Sequence, residues 1–411
     1  MSKLLDSYKG LPREVWMFAL MTIINRIGAM VVPFLSKYLR EDLKFEYLEI
    51  GTIMLCFGLG SIIGTILSGR LTNNFSTYKI MVFSMFTSGL ILLFMRFIKD
   101  FYLLCFVVFL YNVIADMFRP AMTATIKDYV KKKNRVNAFS LVRTASNLAF
   151  VISPVIAGFV ILTFGYKYLF FIDGLSSIIA ILVFVLFVKE KKDLYKIKFT
   201  NYKEEEFAFL KDKLLLLHCL VTIITGFVFF QFFTVLPIFY TDFLKLSSEY
   251  NSYSLIFYGI LLFGFELQVV HFIKKKSIHP LNSILQGLVF LAIGNLFLSF
   301  ASNYSFVIGA LIFISLGVML SFPFAPDFVL ERAFKKQEGK FLSFFQMSYS
   351  VAHILSAKVS MFIIASYGFK WNFVNNIFVS LFGVLISYFL IRRVIEERKS
   401  KEKDIVKSIF G

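Results

Sequence analysis

Twelve runs of predominantly apolar residues recur along this chain, with a single long polar interruption between the sixth and the seventh. They centre on residues 13–37, 47–68, 79–97, 101–125, 137–163, 167–188, 214–240, 250–273, 281–300, 304–329, 341–365 and 371–391. Crossing the hydrocarbon core takes roughly 20 apolar residues in a helix. Lipid offers no partners to backbone N–H and C=O groups, and these runs are too long for barrel strands. The sequence therefore predicts an all-α membrane protein with twelve transmembrane helices. A soluble fold is excluded by the same count, since 58% of the 411 residues are hydrophobic and only 17% are charged.

Charge then sets the orientation. With both termini in the cytoplasm, the cytoplasmic segments hold 32 Lys and Arg and the outer hairpins hold eight: Lys37, Arg40, Lys44, Arg96, Lys99, Lys167, Lys245 and Lys370. Basic residues collect on the cytoplasmic side of membrane proteins, so this asymmetry predicts a multi-pass protein of the cytoplasmic (inner) membrane with both ends inside. It also accounts for most of the +18 net charge without a nucleic-acid partner. Cys56, Cys105 and Cys219 fall inside spans and form no CxxC pair, and the four histidines show no ligand spacing. No metal site and no cofactor is expected. The N-terminal MSKLLDSYKGLPREVW lacks a cleavable signal, so insertion is expected to begin with the first span.

Residues 189–213, KEKKDLYKIKFTNYKEEEFAFLKDK, divide the chain into an N-terminal six-helix bundle at 1–188 and a C-terminal one at 214–393, with a short surface helix expected around 202–209. The stretch 394–411 reads as a basic cytoplasmic tail. One constant offset of 203 pairs Pro120 with Pro323, Ser140 with Ser343, Ala149 with Ala352, and Gly165-Tyr166-Lys167-Tyr168 with Gly368-Phe369-Lys370-Trp371. The halves are thus two parallel six-helix repeats, an arrangement that puts a transporter's substrate site at mid-membrane.

Twelve spans, a central loop, parallel halves and basic alternate loops resemble the major facilitator superfamily. Gly69-Arg70-Leu71-Thr72-Asn73 after span 2 resembles the family's GxLxDRxGRK motif, with Gly69 and Leu71 matching and Asn73 standing where the pattern has Asp. In span 5, Ala149-x-x-x-Ser153-Pro154-x-x-Ala157-Gly158 is similar to the GxxxGPxxGG motif of drug:proton antiporters, keeping Pro154 and Gly158. Arg119-Pro120-Ala121 and Arg143-x-x-x-Asn147 also resemble multidrug-efflux-type members of that group. The resemblance implies the twelve-helix major facilitator fold, cavity-lining roles for spans 1, 4, 7 and 10, and gating roles for the residues of both motifs.

Charges inside spans narrow the candidate site. An intramembrane charge costs at least ~2.5–3.5 kcal/mol on insertion scales, so such residues face a bundle interior and have partners. Arg26, Arg119, Arg143 and Lys358 are the basic residues read within spans, and Asp116 lies three residues before Arg119, on one face of a continuous helix. Two readings stay open for Asp116: a protonation site traded against Arg119, Arg26 or Arg143, or a permanent ion pair joining spans. Arg26, beside Asn25, reads either as a binder of anionic or carbonyl-bearing substrate or as a structural partner of Asp116. Arg143 and Asn147 suit an inner gate or a helix-packing bond. Glu266 in span 8 is a second proton-carrier candidate. His353 and Lys358 in span 11 complete the set, with Asp173, Asp327 and Glu331 weaker. Pro33, Pro154, Pro237, Pro323 and Pro326 are expected to break helices. The Phe cluster 227, 229, 230, 232 and 233 suggests an aromatic wall.

The function these features predict is secondary active transport of a small organic molecule by alternating access, as proton-coupled efflux, from a monomer whose partners are substrate, protons and the lipid bilayer. Proton-coupled import of a metabolite or metal chelate is the alternative, and a non-transporting membrane sensor or scaffold is the different class. No nucleotide-binding loop and no nucleophile or metal constellation is present to suggest ATP drive or an enzyme.

Overall fold

The computed structural model describes residues 10–71, 75–131, 134–191, 208–333 and 338–410. Among the described residues, twelve helical stretches are long and apolar enough to cross a membrane. Spans 1–6 are Arg13–Glu41, Tyr47–Leu71, Thr77–Met95, Phe101–Tyr129, Asn137–Phe164 and Lys167–Phe187. Spans 7–12 are Lys213–Phe243, Glu249–Lys275, Pro280–Ser299, Tyr304–Arg332, Phe344–Tyr367 and Phe369–Ser400. The helix of span 12 runs on without a break from Phe369 to Phe410, so the basic tail begins as a continuation of that helix. Of the expected surface helix around 202–209, only its end, in the helix Ala208–Lys211, lies within the described residues.

Contacts group the chain into two compact units, Met1–Tyr202 with Phe233–Phe263, and Lys203–Phe232 with Gly264–Gly411. Within the first, span 1 packs on spans 5 and 6, span 2 on span 4, and span 3 on spans 4 and 6. Within the second, span 9 packs on spans 10 and 12, and span 11 on spans 10 and 12. The order of neighbours around span 3 therefore recurs around span 9. Backbone caps carry the same offset of 203. Ser76 and His279 cap spans 3 and 9, Asp100 and Asn303 cap spans 4 and 10, and Gly165 and Gly368 end spans 5 and 11, both at φ 86°. A glycine costs least at that left-handed geometry.

Four spans are interrupted among the described residues. Span 1 breaks between Gly28 and Val31, span 4 between Ala115 and Phe118, span 7 between Thr234 and Leu236, and span 10 between Ser321 and Ala325. Each following helix has a proline in its first turn: Pro33, Pro120, Pro237 and Pro326. Proline has no N–H to return to the preceding turn and its ring crowds the carbonyl four residues back, yet it suits the first turn of a new helix. Pro154 departs from the expectation, because it lies inside the unbroken helix Arg135–Phe164.

Candidate functional site

The site candidates of the first unit gather at the breaks in spans 1 and 4. The second helix of span 1 starts at Val31 without a side-chain cap from its own N-cap residue. Its open N–H groups are met from span 6, where the Asp173 carboxylate accepts from Val31 N at 3.2 Å and from the Met30 backbone. Asp173 is only 4% exposed. A carboxylate on a helix N-terminus satisfies orphan donors and complements the dipole, which is how a buried negative charge is tolerated here. Arg26, in the last turn of the helix before the break, is exposed and interacts electrostatically with Arg119, Asp116, Asp173 and Tyr111. Its neighbour Asn25 turns to span 6 instead, donating to Ser177 Oγ at 2.9 Å.

Span 4 supplies the rest, with a correction to the expected geometry. Asp116 and Arg119 do not share a face of one continuous helix. Asp116 is the C-cap of the helix Phe101–Ala115, and Arg119 opens the helix Phe118–Tyr129. Pro120 forces this, having no N–H for the carbonyl of residue 116. Half-buried, Asp116 accepts a hydrogen bond from Ser61 of span 2 and is attracted by Arg119 and Arg26. Two guanidinium groups and two carboxylates thus act on one another electrostatically near the interruptions of two helices, with the Tyr111 phenol also in the field of Arg26. Such a cluster can hold an anion against its arginines, and a carboxylate between two cations can exchange a proton as they move.

The remaining candidates fall elsewhere. Arg143 is exposed on span 5, and Asn147 lies on the same helix, with its side chain outside the described set. Gly158 lies where span 5 meets the start of span 8: a Cβ there would lie 2.6 Å from Ser252 Oγ. Leu71 packs against the apolar cluster that includes Phe18, Met81 and Phe184, Gly69 is exposed, and Asn73 lies outside the described residues. Glu266, His353 and Lys358 are half-buried in the second unit, and the His353 ring meets Phe230 edge-on at 5.0 Å. Phe229 joins Phe230 at 5.4 Å and Phe322 at 4.9 Å, and Phe322 stacks on Tyr349 at 5.4 Å. The expected aromatic wall therefore draws on spans 7, 10 and 11, while Phe227 and Phe232 are buried. Among the described residues no group of His, Cys, Asp and Glu is arranged to hold a metal ion.

Three features escape sequence reading. Lys37, counted among the outer-hairpin cations, is 0% exposed within span 1, 3.8 Å from Glu41 and donating to the Ser248 carbonyl at 3.3 Å. Tyr166 donates to the same Glu41 at 2.7 Å. One turn on, Arg40 pairs with Asp242 at 2.8 Å, and Tyr47 donates to that carboxylate at 2.7 Å while its ring lies under the guanidinium. In the second unit, Gln231 of span 7 accepts from Asn372 of span 12 and exchanges hydrogen bonds with Asn376, all at 2.7 Å, and Asn376 donates to Asn295 of span 9 at 2.9 Å. This buried amide network gives the second half a polar core that the Phe cluster and Glu266 alone did not suggest. Asn376 is the repeat partner of Asp173, and each ties the last span of its half to the first, one through a neutral amide and one through a carboxylate. Apart from Lys37 with Glu41 and Arg40 with Tyr47, the partners lie 81 to 211 residues apart and leave no local pattern that would have flagged these contacts.

Comparison with known proteins places this architecture. The chain is 22% identical over 288 residues to the quinolone resistance protein NorA of Staphylococcus aureus, covering 70% of this chain and 73% of NorA. It is 24% identical over 236 residues to an uncharacterized transporter of Buchnera aphidicola, covering 54% and 56%, and 23% identical over 198 residues to the 4-hydroxybenzoate transporter PcaK of Acinetobacter baylyi, covering 47% and 43%. The chain thus spans about half the length of the last two. The crystal structure of the nucleoside transporter NupG superposes with a TM-score of 0.72 at 15% identity, covering 93% of this chain and 99% of that one, a likeness of fold. A sequence model of the Major Facilitator Superfamily matches residues 18–357 and 284–411. With twelve spans and the fold in common as well, the chain belongs to the Major Facilitator Superfamily.

Proposed function

We propose that this protein is a secondary active transporter that moves a small organic molecule across the cytoplasmic membrane, with both termini inside and export coupled to proton entry. The observation that carries the reading is the electrostatic coupling of Arg26, Asp116, Arg119 and Asp173 near the breaks of spans 1 and 4. Broken helices put irregular backbone at mid-depth, which lipid tolerates only inside protein or beside water. A scaffold gains nothing from such a placement. In the proposed cycle the halves 1–188 and 214–393 rock about the site. Asp116 takes a proton as substrate leaves, and Glu266 is the second carrier. Export is supported by the Pro154 and Gly158 motif in span 5 and by the similarity to NorA.

A second reading has its own support. Two arginines, Arg26 and Arg119, act electrostatically on Asp116, and PcaK is named for an aromatic carboxylate, so import of an organic anion by proton symport is the alternative. Inverted membrane vesicles separate the two. With the interior acidified, a quinolone should accumulate inside and an uncoupler should collapse the accumulation. Accumulation of 4-hydroxybenzoate only in right-side-out vesicles, under an inward proton gradient, would establish import instead.

A further inference from the structure

A cleft of about 290 Å³ opens at the hairpin end of spans 3 and 6, lined by Arg96, Phe97, Lys99, Lys167 and Tyr168. We propose that it binds the headgroup of an anionic phospholipid, in the leaflet on the membrane face that carries the hairpins 1–2, 3–4 and 5–6. Arg96 follows the last turn of span 3, Lys99 lies in the short connection to span 4, and Lys167 opens span 6, whose N-cap residue Tyr166 gives its helix no side-chain cap. Three cations, two from the 3–4 hairpin and one from the 5–6 hairpin, beside an uncapped helix N-terminus, make a phosphate-sized anion site. No carboxylate lines the cleft. Asp100, next to Lys99 in the chain, caps span 4 by accepting from Leu103 N at 2.8 Å, and Asp42 interacts electrostatically with Lys167 and Lys44.

The surroundings select a lipid over a free anion. Arg96 lies over the rings of Phe97 and Phe171, at 4.5 and 5.6 Å, which fixes the guanidinium at the level of an interfacial aromatic belt. Phe94 and Phe97 are each 67% exposed beside it, an apolar surface for acyl chains. The charge also runs against the trend of the sequence, because this face is depleted in basic residues and yet three of its eight meet in one cleft. The repeat supplies an internal comparison. At an offset of 203, Phe97 maps to Phe300, Lys167 to Lys370 and Tyr168 to Trp371, so the aromatic frame is kept, whereas Arg96 and Lys99 map to Ser299 and Ser302. The cation cluster is a property of the first half alone.

Native mass spectrometry of the full chain titrated with phosphatidylglycerol, phosphatidylcholine or inorganic phosphate tests the proposal. Phosphatidylglycerol should bind in preference to phosphatidylcholine, and affinity should fall about fivefold for each cation neutralised in the series Lys99→Gln, Arg96→Gln and Lys167→Gln. The repeat-equivalent change Lys370→Gln should leave it unaltered. Should the triple variant fail to fold, Lys99→Gln alone carries the test, because Lys99 is exposed at the surface. Equal binding of the two lipids, or full affinity in the variants, overturns the proposal. Inorganic phosphate displacing phosphatidylglycerol at equal concentration overturns the choice of lipid.

Discussion

Replacing Asp173 tests the construction of the charged site more sharply than any change among the arginines. Asp173→Ala removes the acceptor of Val31 N and strips the partial negative charge from the start of a broken helix. Loss of an N-cap costs about 0.5–2 kcal/mol, and a carboxylate on a helix terminus adds about 0.3–2 kcal/mol in partly buried geometry. The residue is almost fully buried, so no water stands ready to replace it, and Arg26 loses one of its two opposing carboxylates. A destabilisation of about 1–4 kcal/mol follows for Asp173→Ala. Asp173→Asn reproduces what the repeat does at Asn376 and keeps an oxygen for Val31 N, so it should cost about half as much. Equilibrium unfolding in mixed micelles, followed by Trp fluorescence, gives both values. Equal losses for the two variants would mean that the cap does not matter, and no loss in either would refute the reasoning.

Other consequences follow from single contacts. Gln231→Leu should destabilise the second unit by about 1–2 kcal/mol, since Asn372 and Asn376 lose their shared acceptor, and unfolding in the same micelles measures it. Gly64→Val should abolish accumulation of folded protein in the membrane, because a Cβ there would lie 2.3 Å from the Val113 carbonyl oxygen of span 4; size-exclusion chromatography of the solubilised protein reads this. His279, outside the spans, is held below the ordinary histidine range by burial first and by Arg398 second, against the pull of Glu331. The folded state therefore prefers the neutral ring, and the stability this adds is present above the ordinary histidine pKa and fades as pH falls below it. The melting temperature should drop more between pH 7.5 and pH 5.5 in the wild type than in His279→Gln, by a small margin because the ring is half-buried.

The twelve spans were legible because lipid makes composition nearly binary: a run without charge lies in the membrane, and a basic hairpin lies in water on the cytoplasmic side. The repeat was legible because its caps are local, as with Gly165 and Gly368 at one φ. What escaped depends chiefly on distant partners, such as the Ser248 carbonyl, 211 residues from Lys37. Lys37 reads as a hairpin lysine until Glu41 and the Ser248 carbonyl enclose it. Asp173 reads as a weak candidate until the break in span 1 presents Val31 N to it. Proline alone does not reveal a break either, since Pro120 starts a new helix whereas Pro154 continues one.

The central claim is that the cluster at the breaks of spans 1 and 4 couples proton and substrate through Asp116. Its most direct measurement compares wild type and Asp116→Asn in proteoliposomes, using whichever compound of the proposed vesicle assays accumulates, under a pH gradient and under counterflow without one. The account predicts that the variant loses gradient-driven accumulation while keeping counterflow exchange. Gradient-driven accumulation by the variant at the wild-type level would contradict it.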